Sequence, residues 1–176
     1  MEVPPRDFIP QPGRNIELAK PTIAAVNGLA WAGGFALAQG CDLCIAAEHA
    51  TFAISEAKVG RGAPWAAPLA AMVPRRVAME ILLTAAPISA QRAYDVGLIN
   101  AVVPSAELRQ AAQATAELIA ANAPLSVAAG KAMVDALSGA GESAFDRAEA
   151  IWEPVYRSSD AQEGPLAFRE GRPPRW

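Results

Sequence analysis

A chain of 176 residues is long enough for one domain with its own core, so no disulfide or metal is needed to hold it. Hydrophobic residues make up 52% of it, yet charges interrupt every apolar segment, and no run approaches the about 20 residues that cross a bilayer; a soluble protein with no membrane partner is expected. The net charge of −3, with Arg6, Arg14, Arg75, Arg76, Arg172 and Arg175 dispersed, excludes a basic footprint for nucleic acid, and the absence of a leader pattern makes the cytoplasm the default location.

In chain order, residues 1–19 carry four prolines without a period and read as an N-terminal arm. "PTIAAVNG" is β-branched and stops at Asn27-Gly28, which predicts a strand; a helix follows over roughly 33–40. "CDLCIAA" and "ATFAIS" are strand candidates joined by a tight connection at Glu48-His49. The CxxC of Cys41 and Cys44 reads as two small core residues, because residues three apart on a strand face opposite ways and a second CxxC is lacking. "VGRGAPWAAP" is a loop, "RRVAMEILLTA" a helix, and Ser89 caps a short helix through Tyr94 that Gly97 closes. "LINAVV" returns as a strand.

After it the pattern turns wholly helical. Leu108, Ala112, Thr115, Leu118 and Ile119 line one helix, which Asn122 and Pro124 end; Val127, Val134 and Leu137 line a second. Phe145, Ala148, Trp152 and Tyr156 line a third, and Asp160 with Glu163 has the spacing of a capping box for a fourth. The divisions are an arm (1–19), an α/β core (20–104) and a helical C-terminal region (105–176).

Two places could carry chemistry. Gly33-Gly34 open the helix that follows the first strand, where unpaired N–H groups and the positive end of the dipole favour an anionic oxygen. Ala30, Ala32, Ala36, Ala38 and Gly40 equally suit a small-residue helix packed on a sheet, and both readings stand. In "FAISEAKVG", continued alternation would put Phe52, Ile54 and Glu56 on one face, so that Glu56 ends an apolar row. Burial there would raise its pKa toward the acid/base range, whereas exposure would leave it paired with Lys58. Ser55, His49 and Asp42 could be written as a triad, but no nucleophile elbow accompanies them.

Four ordered blocks carry a resemblance: "KPTIAAVNGLAWAGGFALAQGCDLCIAA", "ATFAISEAKVG", "AMEILLTAAPISAQRAYDVGLINAVVP" and "SSDAQEGPLAFREGRPPRW". From Lys20 onward the chain resembles the C-terminal two-thirds of the enoyl-CoA hydratase/isomerase (crotonase) superfamily. The resemblance implies an α/β fold with the spiral ββα core of the ClpP/crotonase type, here N-terminally truncated, and a helical C-terminal region that builds a homotrimer or hexamer. It implies an acyl-CoA thioester as substrate, CoA as part of that substrate, and no separate cofactor or metal. By position, Gly33 matches the glycine whose N–H is one of two oxyanion donors, and preorganised donors on a developing enolate are worth roughly 3 kcal/mol each. Glu56 matches the family's second catalytic glutamate. Trp31, Gly34, Ala36, Pro64 and Trp65 fall at the acyl pocket. Trp152 and Phe168 fall where relatives place aromatics against the CoA adenine, although Trp152 also fits plain helix core.

The sequence departs from the pattern twice. In hydratases a first glutamate lies three residues after the oxyanion glycine, and here that position is Ala36, which can neither orient water nor shuttle a proton. Isomerases of the family keep only the second glutamate, so single-base isomerisation fits the residues while hydration fits the family. Relatives also carry a further N-terminal region, with the other oxyanion amide, before the position of Lys20. A catalytically silent subunit that binds acyl-CoA or only assembles is the competing expectation.

Overall fold

The computed structural model describes residues 10–12, 15–138 and 142–175. Most of the expected arm, Arg6 and Arg14 lie outside the described residues, as do the side chains of Leu137, Phe145 and Ala148.

Among the described residues, six short strands form two three-stranded sheets. In the first, β1 (Ile23–Val26), β3 (Leu43–Ala47) and β6 (Ala101–Val103) lie side by side in the order β1-β3-β6, all parallel, with Ala24 opposite Cys44 and Ala46 opposite Val102. In the second, β2 (Leu29–Trp31) runs parallel to β4 (Thr51–Ala53), and β5 (Ile88–Ser89) closes the far edge antiparallel to β4. Asn27-Gly28 therefore ends one strand and leads directly into another, β2, which the alternation did not predict. Three residues are too few to show a period.

β3 explains the run of small apolar residues in "CDLCIAA". Its two faces feed different cores: Cys44 and Ala46 join the larger one, with Phe35, Phe52, Trp65 and Ile81, while Ile45 and Ala47 pack with Leu108 of α5 (Leu108–Ala120). A strand covered on both faces reads as continuous hydrophobicity rather than alternation. Cys44 is a buried core residue as expected, but the strand starts at Leu43, so Cys41 lies off it in the turn, where its thiol donates to the Leu37 carbonyl. Phe35, Phe52, Ile54, Leu69 and Ile81 are fully buried, each stabilising by about 1.5–3 kcal/mol relative to exposure.

The remaining helices are α1 (Gly33–Gln39), α2 (Leu69–Met72), α3 (Arg75–Thr84), α4 (Ala90–Asp95), α6 (Pro124–Leu137), α7 (Glu142–Arg157) and α8 (Asp160–Glu170). Ser89 caps α4 as predicted, its hydroxyl accepting from the Arg92 N–H at 3.1 Å, and Gly97 takes a φ of 79° after it. The capping box at Asp160 does not form. Ser159 is the cap residue, its side chain accepting no bond from a helix N–H, Asp160 already lies in the helix, and the Glu163 carboxylate is taken by Arg172. Leu118, assigned to the buried stripe of α5, is 72% exposed. The four C-terminal helices do not stand apart from the α/β core. α5 covers β1 and β3, while α7 and α8 fold back onto the segment after β4.

Candidate active site

Parallel pairing of β2 and β4 delivers two chain exits to one place. Trp31 lies opposite Ala53, and the Ala32 N–H donates to the Ala53 carbonyl at 3.0 Å, so α1 starts beside the point where β4 ends. Ligands of parallel sheets bind at this end of the strands, because loops and helix N-termini gather there. Ala32 makes the turn with φ 47° and ψ −118°, a region that costs a non-glycine residue about 1–3 kcal/mol. Its carbonyl accepts the Ala36 N–H at 2.9 Å, closing the first turn of α1 behind Gly33 and Gly34. A Cβ at Gly34 would meet only the Leu29 carbonyl, at an ordinary 3.6 Å. Packing therefore does not demand glycine there.

The strand expected to carry Glu56 stops earlier. β4 ends at Ala53, Ser55 turns with φ −86° and ψ 0°, and Glu56 opens a short 3-10 turn over Glu56–Val59. The apolar row thus ends at Ile54, and Glu56 is placed by the turn rather than by strand alternation. Its carboxyl is partly buried: the Trp65 indole N–H donates to Oε1 at 2.8 Å, while Oε2 is buried with no hydrogen-bond partner. Burial pushes the carboxyl above its ordinary pKa, and the Trp65 bond together with a backbone bond of the turn opposes that rise. Lys58 forms no ion pair with it in the structure, which settles the earlier alternative of an exposed, Lys58-paired glutamate.

Three groups of contacts fix this turn. Trp65 sits in a second 3-10 turn, Pro64–Ala66, only 6% exposed, with its ring edge-on to Phe35 of α1 at 6.0 Å. Its carbonyl accepts from Nε2 of Gln39 at 3.1 Å. From the other side, Tyr156 of α7 donates its hydroxyl to the Gly62 carbonyl at 3.0 Å, and α8 lies backbone to backbone on the Glu56 turn. A Cβ at Gly60 would land on the Asp160 carbonyl, and one at Gly164 on the Val59 carbonyl. The sequence reading missed Gln39, Gly60, Tyr156 and Gly164; Gly164 alone carried a signal as a bare residue inside an otherwise regular helix, and Gly60 takes a φ of 63° just after the Glu56 turn.

The other predicted residues are placed as follows. Ala36 is 1% exposed in the larger core, close in sequence to Gly33 but with its methyl packed. Trp31 is 39% exposed and donates its indole N–H to Thr51 Oγ1 at 2.9 Å, across the β2–β4 pair. Pro64 is half-buried at the start of the Trp65 turn. Trp152 packs against the larger core with its Cβ beside Gly62, and Phe168 is 80% exposed on α8. The written triad does not assemble: the His49 ring bonds the Asn27 carbonyl, and Asp42 is held by Thr22 and Lys131. Among the described residues, His, Cys, Asp and Glu do not gather in threes that could hold a metal ion, and no helix is long and apolar enough to cross a membrane. A cavity of about 990 Å³ between β1, α5 and α6 touches none of the site residues.

The model of the enoyl-CoA hydratase/isomerase family matches residues 14–176. The chain belongs to the enoyl-CoA hydratase/isomerase family. A carnitinyl-CoA dehydratase of Proteus mirabilis is 38% identical over 170 residues, covering 91% of this chain and 64% of its own length. A solved carnitinyl-CoA hydratase of Mycobacterium avium superposes with a TM-score of 0.83 at 44% identity, over 91% of this chain and 64% of that one. A methylmalonyl-CoA decarboxylase structure superposes at 0.79 and 34% identity, over 90% of this chain and 64% of that one. The fold is thus the crotonase fold expected from the four sequence blocks, and the chain spans just under two thirds of these relatives' length.

Proposed function

We propose that this chain acts on an enoyl-CoA thioester, with Glu56 as the single proton carrier and the Gly33 N–H as a donor to the enolate oxygen. The observation that carries the reading is the Glu56 carboxyl: one oxygen fixed by Trp65, the other buried and unpartnered, at the strand end where α1 begins. A buried acceptor without a partner costs about 1–3 kcal/mol, a cost a folded protein retains where a ligand supplies the missing donor. In the reaction a C–H bond α or γ to the thioester breaks, its proton goes to Glu56, and the electron pair moves onto the carbonyl oxygen facing Gly33. Return of the proton at the other carbon completes an isomerisation, and no group beyond the thioester is called on.

Relatives named for dehydration or hydration of carnitinyl-CoA and for decarboxylation of methylmalonyl-CoA share the fold, and enolate chemistry at a thioester is common to those reactions. Ala36 tips this chain toward isomerisation, because hydration needs a second group to hold water and a packed methyl cannot. Pro64 and Trp31 stand beside the acyl chain in this reading, and Trp152 and Phe168 toward the adenine. Exposed Leu118, Leu125, Ile151 and Phe168 are the apolar surface that assembly into a trimer or hexamer would cover. Purified protein is given a trans-2-enoyl-CoA and a 3-enoyl-CoA, each followed separately. Turnover of the 3-enoyl thioester that Glu56→Gln abolishes is expected; no turnover of either, with Glu56→Gln equal to the parent, refutes the catalytic reading. The packed Ala36 also favours a second reading, a silent subunit that binds acyl-CoA, which stabilisation by acyl-CoA in thermal unfolding without turnover would support.

A further inference from the structure

A carboxylate has two equivalent oxygens and a broad terminal torsion, so a glutamate that carries a proton to one carbon needs something to choose which oxygen meets the substrate. We propose that Trp65 is the positioning residue of Glu56: its indole N–H occupies Oε1, so that Oε2 alone takes and returns the substrate proton. The proposal rests on the reading of Glu56 as the proton carrier.

The geometry is built rather than incidental. Trp65 is held at three points: its N–H by Glu56 at 2.8 Å, its carbonyl by Gln39 at 3.1 Å, and its ring by the edge contact with Phe35 at 6.0 Å. Two of these anchors, Phe35 and Gln39, lie on the buried face of α1, the helix whose first residue is Gly33. The donor that fixes the base is therefore tied to the element that presents the enolate-binding N–H. An indole N–H donates and never accepts, so it bonds an ionised carboxylate well and gives nothing to a proton sitting on Oε1. The proton is steered to Oε2, the oxygen the structure leaves buried and without a partner.

The charges on the elements packed against the Glu56 turn are Lys58 and Arg61 beside it, Arg75, Arg76 and Glu80 on α3, and Asp160, Glu163, Arg169 and Glu170 on α8. The carboxyl's upward shift arises from burial, and the side chain that counters it is Trp65.

Trp65→Phe keeps a ring to pack in this part of the core and removes the donor together with part of the indole's volume. With carboxyl-labelled glutamate, the Glu56 resonance of this variant should titrate with a higher midpoint than in the parent, since a lost bond to the charged form favours the neutral one. In the parent the Trp65 indole N–H resonance should move with the same midpoint, and in Glu56→Gln it should stop titrating, a readout that needs no Trp65 variant to fold. In turnover, kcat of Trp65→Phe should fall about tenfold with KM unchanged, and the acid limb of its pH profile should move up with the carboxyl. A Glu56 midpoint unmoved in Trp65→Phe, or an indole resonance indifferent to Glu56, overturns the positioning role even if Glu56 proves essential. Moved midpoints in a protein without turnover leave the pairing standing and remove the catalytic reading instead.

Discussion

Two helical glycines should respond to alanine with opposite signs. Gly164 lies inside α8 and Gly130 inside α6; alanine in a helix interior is favoured over glycine by about 1 kcal/mol. At Gly130 a Cβ would meet nothing within 4 Å, so Gly130→Ala should collect that gain and raise Tm by about 2–4 °C in a domain of this size. At Gly164 the Cβ would fall on the Val59 carbonyl, at a separation no real Cβ adopts, and the atom in the way is backbone rather than a movable side-chain tip. Either α8 or the Glu56 turn must retreat. A clash this close with backbone belongs in the upper part of the about 1–3 kcal/mol that overpacking costs, about 2–3 kcal/mol, and subtracting the propensity gain leaves about 1–2 kcal/mol lost, a Tm lowered by about 2–8 °C. Thermal and urea unfolding of the two variants beside the parent measure both signs. Gly164→Ala as stable as the parent would refute the backbone-to-backbone seat of α8 on the Glu56 turn.

Other perturbations follow from the same geometry. Glu56 has a folded-state pKa above its unfolded value, so ionising it costs stability: the parent should weaken as pH rises from the ordinary carboxylate range through the raised value, then level off. Glu56→Gln should lack that decline; a stability difference between the two that stays constant with pH in urea unfolding would contradict the burial. Ala32→Gly should stabilise by up to about 2.5 kcal/mol, the relief of the φ 47° conformation (about 1–3 kcal/mol) minus glycine's entropy of about 0.5–1 kcal/mol, and a lower Tm would show that Ala32 carries no strain. Tyr156→Phe leaves the buried Gly62 carbonyl without its donor and should cost about 1–3 kcal/mol in chemical denaturation, where an unchanged midpoint would mean water replaces the hydroxyl.

Much of the fold was legible because its signals are local. Ser89 as a cap, Gly97 with positive φ, the end of β1 before Asn27-Gly28 and the Pro124 break each depend on a few neighbouring residues, and the structure has them all. What the sequence hid was long-range or short. β2 and β5 have three and two residues, too few for a period, and they exist because β4 supplies their hydrogen bonds. The position of Glu56 has a different cause from the one alternation gives. Alternation placed it on a strand, whereas a 3-10 turn places it and a tryptophan nine residues later orients it. A bond of that kind leaves no periodic trace, since it joins two loop turns whose separation is set by helices α1 and α8 packing from either side.

The packing also bears on why one carboxylate suffices in the proposed reaction. Position 36 is 1% exposed within the larger core, and its nearest neighbour in sequence, Phe35, is equally buried and stacked edge-on to both Phe52 and Trp65. A glutamate at that position would have to fit into the core that also packs Phe35 and Trp65, and burial there would push the added carboxyl toward its neutral form. Ala36→Glu alone should therefore not create a two-carboxylate water site; it would loosen the donor that orients the existing base. In the proposed reaction, reliance on one base is tied to how the core beneath α1 is filled, because position 36 shares that core with Phe35 and Trp65, and Trp65 bonds the Glu56 carboxyl.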